Sequence, residues 1–365
     1  MRIAYSFAGE GLGHAARTSV IGPLLEHDHN VVYFVPDVAR DFVVSRLGKG
    51  HYERILHFSF QKKGERVRLL ASIFCTLPLL VRFPFEMMRL IDRLRALRID
   101  AVISDFDPFL PWAARIAGVP ILQINHPGVV QRLLRPRFIS LITALATRLL
   151  EGPWNDRILI SFYNGDVGPI LREEIFAHPV RDDGTILVNL KQCLRPVVVP
   201  VLDAMHLRYR LVPDPRENFE EAIAACSFVL STAGHQIIVE SIALNKPILV
   251  IPQRGQWEQQ LNAEMVDKTQ KGKSTTVERL RVDLPDFRRH LERYRSSRVP
   301  AGFMTSDDRK SILQRIEVFL RECRGRRARP VSNPRPRGRS SRRASPIPLA
   351  LAGKTARTTV LRGVS

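Results

Sequence analysis

Short apolar runs alternate with stretches of helical period from the first residues to about residue 323. The first set of runs is RIAYSFA (2–8), NVVYFVP (30–36), RILHFSF (54–60), DAVISD (100–105), PILQIN (120–125) and RILISFY (157–163). The second is TILVNLK (185–191), LRYRLV (207–212), FVLST (228–232) and PILVIP (247–252). Apolar runs of this length suit strands buried on both faces, and helices between them make βαβ units. Continuous alternation predicts an α/β protein built from doubly wound parallel sheets. The spacing breaks in the Gly- and Pro-bearing stretch from Gly165 to Gly184. Two Rossmann-like halves, residues 1–165 and 166–323, are therefore expected to face each other across a cleft. The last helical period, Asp307 to Cys323, either closes the second half or returns to the first.

Two segments depart from this rhythm. Residues 64–98 and 132–150 are apolar and basic together, with almost no acid. They are either core-packing helices whose Arg stems lie along the surface, or an interfacial face for anionic lipid headgroups. The longest apolar run, Leu69 to Val81, contains Pro78 and stops at Arg82, too short to span a bilayer. A length of 365 residues suits two domains at roughly 150 each. With 45% hydrophobic and 25% charged residues the composition is that of a globular protein, but the net charge of +20 is not. Residues 324–365 carry eleven Arg, one Lys and no acid, so +12 of the charge sits there and +8 remains for residues 1–323. That stretch is rich in Arg, Pro, Ser and Gly and has no apolar period. It predicts a disordered basic tail, and the high charge then gives no argument for nucleic-acid binding. The four cysteines, Cys75, Cys193, Cys226 and Cys323, are far apart, which argues against a disulfide framework and a zinc site. The opening MRIAYSFAGEGLGH lacks a leader pattern, so a reducing cytoplasm is the expected location, with the cytoplasmic membrane face if the lipid reading holds.

Three places carry candidate chemistry. GEGLGHAAR (9–17) follows the first strand, and Gly9, Gly11 and Gly13 spell the start of a dinucleotide fingerprint. His14 at the helix start and the lack of an acid ending the second strand point elsewhere. The loop would bring backbone N–H groups and one imidazole to the cleft floor, where a neutral His takes a proton from an acceptor hydroxyl. Asp105 and Asp107 end the fourth run, at the carboxyl edge that lines the crevice of an open sheet. One of these carboxylates could hold the imidazole's tautomer, as the orienting acid of a triad does. His126 ends the next run and is either a third lining residue or structural. The longest pattern is STAGHQIIVESIALNKPILVIPQRGQWEQQLNAEMVDK (231–268). Here a small-residue loop, Thr232-Ala233-Gly234, leads into a helix starting near His235, a diphosphate site that needs no metal. Glu240 lies on that helix and could accept from both ribose hydroxyls. Glu258, Gln259 and Asn262 follow the next strand and suit sugar hydroxyls.

Residues 231–263 closely resemble the donor-site signature of GT-B glycosyltransferases: a glycine loop, Glu six positions on, a KP-strand-P unit, then EQxxNA as Glu258 to Ala263. GEGLGHAAR resembles the N-terminal loop of the same superfamily, which includes the lipid-II-forming GlcNAc transferase and many uncharacterised bacterial and archaeal members. The resemblance implies an inverting, metal- and cofactor-independent transfer of a sugar from a nucleotide-diphosphate donor, such as a UDP-sugar, to a hydroxyl acceptor, lipid-linked in some relatives. It implies diphosphate contacts from Gly234, His235 and Gln236, and a ribose contact from Glu240. Glu258 and Gln259 would meet the transferred sugar, and His14 would be the general base beside Gly11 and Gly13. Thr232 departs from the pattern, since many relatives carry His or Arg there. GLGH also resembles the loop of a nucleotide-sugar hydrolase of this fold, in which water is the acceptor, and a nucleotide-sugar-binding protein without turnover is a third alternative. The non-hydrolysing UDP-sugar 2-epimerases share the fold but place more acids and Arg in the cleft.

Overall fold

A computed structural model describes residues 1–328 apart from residues 10–11, 58–61, 64–65, 68, 133–144, 146 and 215. Gly11 and residues 329–365, most of the expected tail, lie outside the described residues, as does most of the segment 132–150. The strands are β1 (Arg2–Phe7), β2 (Asn30–Pro36), β3 (His51–Ile55), the two-residue β4 (Lys62–Lys63) and β5 (Arg66–Val67), β6 (Ala101–Asp105), β7 (Ile121–Asn125) and β8 (Asp156–Leu159). They continue as β9 (Ile186–Asn189), β10 (Tyr209–Val212), β11 (Phe228–Thr232), β12 (Ile248–Ile251) and β13 (Gly272–Ser274). The helices are α1 (Gly13–Glu26), α2 (Arg40–Leu47), α3 (Leu69–Ala96), α4 (Leu110–Ala117), α5 (Val129–Arg132) and α6 (Arg195–Ala204). Then come α7 (Phe219–Ala225), α8 (His235–Ala243), α9 (Trp257–Thr269), α10 (Leu280–Arg289), α11 (Leu291–Ser296) and α12 (Arg309–Ala328).

Two parallel sheets result, ordered β3-β2-β1-β6-β7-β8 and β10-β9-β11-β12-β13. Side chains on a strand alternate between faces. Ile3, Tyr5 and Phe7 accordingly enter one core with Val31, Tyr33 and Val35, while Ala4, Val32 and Phe34 enter another against Leu90, Leu94 and Leu110. In the second sheet Leu187, Val229, Ile248 and Val250 face one core, and Ile186, Val188, Leu230 and Leu249 the opposite one. Both faces of each sheet are thus buried, which is why these runs read as unbroken apolar segments. Each sheet reverses its order once, between β1 and β6 and between β9 and β11. At such switch points the loops part and leave a crevice at the carboxyl ends of the strands.

The chain crosses between the sheets twice. The first crossing runs from residue 160 to 185. The second follows α11 and ends at α12, whose Ile312, Ile316, Phe319 and Leu320 pack under the first sheet with Ile3 and Tyr5. The last helix therefore returns to the first half. The crossings are bonded to each other: Met304 N donates to Phe162 O at 2.9 Å, Gly168 N to Asp308 Oδ2 at 2.8 Å and Leu171 N to Asp307 Oδ1 at 2.9 Å.

Two strands differ from expectation. β3 starts at His51, three residues before the run RILHFSF (54–60) that placed it, and residues 58–60 of that run lie outside the described residues. It is an edge strand with its outer side in water, so it needs few apolar residues. β13, with the sequence GKS, is the opposite kind of edge and carries no apolar signal at all.

Candidate active site

The loops after β1 and β6 leave the first switch point together, and this brings His14 and Asp105 into contact. His14 Nδ1 donates to Asp105 Oδ1 at 2.7 Å. Arg17, one helical turn after His14, donates from Nε to Asp105 Oδ2 at 2.9 Å and from Nη2 to Oδ1 at 2.8 Å. Arg17 Nη2 also lies 2.9 Å from His14 Nδ1. Both cannot give a proton to the other, so the shared acceptor Oδ1 assigns the ring proton to Nδ1 and leaves Nε2 as the lone-pair nitrogen. Asp105 is fully buried. Burial alone would raise its pKa, but the charges of Arg17 and His14 outweigh that and hold the carboxyl below its ordinary value. Phe106, at a φ of 62°, stacks its ring parallel to His14 with centroids 6.3 Å apart.

Asp107 does something else. Its oxygens accept from Phe109 N at 3.0 Å and Leu110 N at 2.9 Å, capping α4. Burial pushes its pKa up to about 6. Of the two carboxylates singled out from the sequence, Asp105 orients the imidazole and Asp107 holds the helix that follows.

Across the crevice α8 begins at His235 with Gly234 as its cap residue, and neither it nor α1 has a side-chain cap or an acid in its first turn. The two helix starts meet, since a Cβ at Gly13 would lie 3.6 Å from Gln236 Cβ. A Cβ at Gly234 would meet nothing nearer than Ile237 at 3.9 Å, so the glycine leaves open space over the exposed N–H groups. His235 is buried, and among the described residues neither ring nitrogen has a hydrogen-bond partner. Burial, reinforced by His126, Arg17 and His14, pushes its pKa well below the ordinary value. These residues line a cavity of about 890 Å³ between the halves, reached also by Glu258, Gln259, Thr232, Lys191 and Phe219.

Glu240 lines the same cavity, but its carboxylate is engaged from inside the protein. Arg172 donates to it from Nε at 2.7 Å and Nη2 at 2.8 Å, and Gln236 Nε2 adds a third bond at 2.9 Å. Arg172 Nη1 also reaches Glu220 Oε1 at 2.9 Å, and Arg46 of α2 reaches the same oxygen at 2.7 Å from the other half. Burial works against the Arg172 charge, and the Glu240 carboxylate more than restores it. Gln259 is likewise internally bonded, its Oε1 accepting from Gln253 N at 3.0 Å and its Nε2 donating to Gln256 Oε1 at 2.8 Å. Asn262, read from sequence as a sugar contact, is fully buried and donates to Ala233 O at 3.0 Å, so it holds the glycine loop instead. His126 sits beneath His235 with ring centroids 4.0 Å apart.

Sequence reasoning missed Arg17, Arg46, Arg172 and Glu220. Arg17 carried a signal, because His-x-x-Arg puts both side chains on one helix face. Arg172 carried none, lying in an irregular stretch without period.

Comparison with known proteins agrees with this architecture. A family model described as glycosyl transferase family 1 matches residues 1–293. An uncharacterised glycosyltransferase of Methanosarcina acetivorans is 23% identical over 322 residues, covering 73% of this chain and 84% of its own. Among solved structures, the calicheamicin glycosyltransferase CalG4 superposes with a TM-score of 0.56 at 15% identity, over 90% of this chain and 99% of that one. Medicago truncatula UGT71G1 complexed with UDP-glucose gives 0.54 at 14% identity, over 87% and 98%.

Proposed function

The chain belongs to glycosyl transferase family 1 and is a glycosyltransferase of the GT-B fold; on that premise we propose that it moves a sugar, with inversion, from a nucleoside-diphosphate donor to a hydroxyl acceptor. The observation that carries the reading is the convergence, in one cavity, of two acid-free helix starts and the His14–Asp105 pair. The helix starts supply N–H donors and positive potential for a diphosphate. His14 supplies a lone pair directed by a buried carboxylate. As the acceptor oxygen attacks the anomeric carbon, Nε2 takes its proton, and the sugar–diphosphate C–O bond breaks with the electron pair leaving on the diphosphate. Asp105 stabilises the imidazolium, and Arg17 keeps Asp105 ionised. Gly234, His235 and Gln236 meet the diphosphate, with charge stabilisation of the leaving group supplied by the chain itself. Glu240 meets the ribose, and Glu258 and Gln259 the sugar.

Incubation with UDP-, dTDP- and GDP-sugars, with and without a membrane lipid extract, tests this. Nucleoside diphosphate released together with a glycosylated lipid is the expected result. Free sugar in the absence of extract would assign water as acceptor, and a donor bound but never consumed would overturn the reading.

The lipid acceptor rests on a surface of the first half. Phe85 and Met88 on α3, Trp112 and Ile116 on α4, and Leu145 and Leu149 all stand exposed, in pairs three or four residues apart. Arg82, Arg115 and Arg148 are exposed among them. No helix among the described residues is long and apolar enough to cross a membrane. Apolar pairs interleaved with arginines suit the headgroup level of an anionic bilayer. Replacing Phe85, Trp112 and Leu149 together by Ser is expected to lower partition onto anionic vesicles by about a hundredfold, since each inserted side chain contributes on the order of 1 kcal/mol or more. Sedimentation of the full chain and this variant measures it. Both carry the same basic tail, so equal partition would assign binding to the tail and leave these faces out of it.

A further inference from the structure

His126 is held between two acceptors. Its Nδ1 is 3.1 Å from the Ile160 carbonyl oxygen and its Nε2 is 2.9 Å from Asn262 Oδ1. Turning the Asn262 amide over gives no relief, because Nδ2 donates to Ala233 O at 3.0 Å and Oδ1 accepts from the Tyr163 hydroxyl at 2.6 Å. A neutral imidazole has one N–H, so one of the two contacts then sets lone pair against lone pair. Only the doubly protonated ring satisfies both.

The surroundings pull in opposite directions. Complete burial pushes the His126 pKa down, and Arg17 of α1 acts the same way; Glu258 of α9, with Oε1 3.9 Å from Nε2, and the two acceptors push it up. His235 of α8, stacked at 4.0 Å and tilted 30°, disfavours a second charge alongside. His14 adds to that at His235. What the arrangement lacks is a further negative charge on the cavity side of the stack. His235 lines that cavity at the start of α8, and its two buried ring nitrogens have no hydrogen-bond partner among the described residues.

We propose that nucleoside-diphosphate binding is coupled to proton uptake at this stack: His126 takes one proton from solvent and donates from both nitrogens, while His235 stays neutral and donates one N–H to a phosphate oxygen. The proton returns to solvent when the diphosphate leaves. This rests on the diphosphate reading of the cavity given above. His126 acts through His235 and is a positioning residue.

Calorimetric titration of the full chain with UDP, dTDP and GDP, repeated near pH 8 in buffers of differing ionisation enthalpy, tests it. The enthalpy is expected to vary with buffer by an amount that approaches one proton taken up per nucleotide. The affinity is expected to fall by up to about tenfold per pH unit on the alkaline side, the linkage slope for one proton. His126→Gln is expected to remove both effects, and His14→Ala, which removes the other imidazole that lines the cavity, to leave them in place. Ring nitrogen NMR of the UDP-saturated wild-type protein reads His126 directly, should the buried substitution prevent folding. Two protonated nitrogens on His126 support the proposal. Clear binding with a buffer-independent enthalpy overturns it while the diphosphate reading stands. Absence of binding by all three nucleotides overturns that reading and the proposal with it.

Discussion

Substituting His14 by Ala is expected to lower turnover by about 10²–10⁴ and to leave donor affinity within a few fold, the signature of a lost general base. In barrier terms this is on the order of 3–5 kcal/mol. The separation of the two effects follows from the geometry. His14 belongs to the first half, where its ring is held by Asp105 and Arg17, whereas Gly234, His235 and Gln236, the side proposed to meet the diphosphate, belong to the start of α8. Asp105 would be the poorer choice of variant, because its removal strands the buried Arg17 guanidinium and mixes a folding defect into the kinetics. Steady-state rates with the accepted donor, beside a calorimetric affinity for the same nucleotide, separate the terms. A His14→Ala enzyme with normal turnover would remove the imidazole from the mechanism.

Glu240→Ala is expected to cost stability as well as donor affinity. Two hydrogen bonds to ribose alone would put the loss at roughly 1.5–3 kcal/mol of binding with the fold untouched. The clamp on Arg172 changes this. Both side chains are buried, and deleting the carboxylate leaves the guanidinium with Glu220 as its remaining ion-pair partner. Breaking a buried pair from one side costs about 3–5 kcal/mol, less whatever Glu220 retains. Chemical denaturation reads the loss, and Arg172→Met combined with Glu240→Ala should recover most of it, because no unpaired charge is then left. If Glu240→Ala unfolds at the wild-type midpoint, the clamp contributes nothing to stability and Glu240 is held for its ligand alone.

The fold was legible wherever a strand is buried on both faces. β1, β2, β11 and β12 announce themselves as unbroken apolar runs because neither face meets water. β3 and β13 were displaced or unseen because edge position removes the need for such a run. The site was legible where local chain geometry makes it. Glycine followed by a helix start at 13–14 and 234–235 is a short-range pattern, and so is a carboxylate at a strand end. What remained hidden depends on contacts between distant segments. Arg172 meets Glu240 across 68 positions and Asn262 meets His126 across 136, distances over which no period in the sequence operates. Asp105 and Asp107 were indistinguishable as letters. Only the path of the chain decides that one faces Arg17 and the other the start of α4.

The return of α12 to the first sheet has a mechanical consequence. A pair of lobes joined by one connector can swing and swivel freely. These lobes are joined by two, and the connectors are bonded side by side along Phe162–Leu171 and Met304–Asp308. The two connectors tie the lobes together along one edge of the cleft. A change in the gap between His14 and the start of α8 would therefore have to bend both connectors at once, and a ligand touching both lobes would act on the pair together.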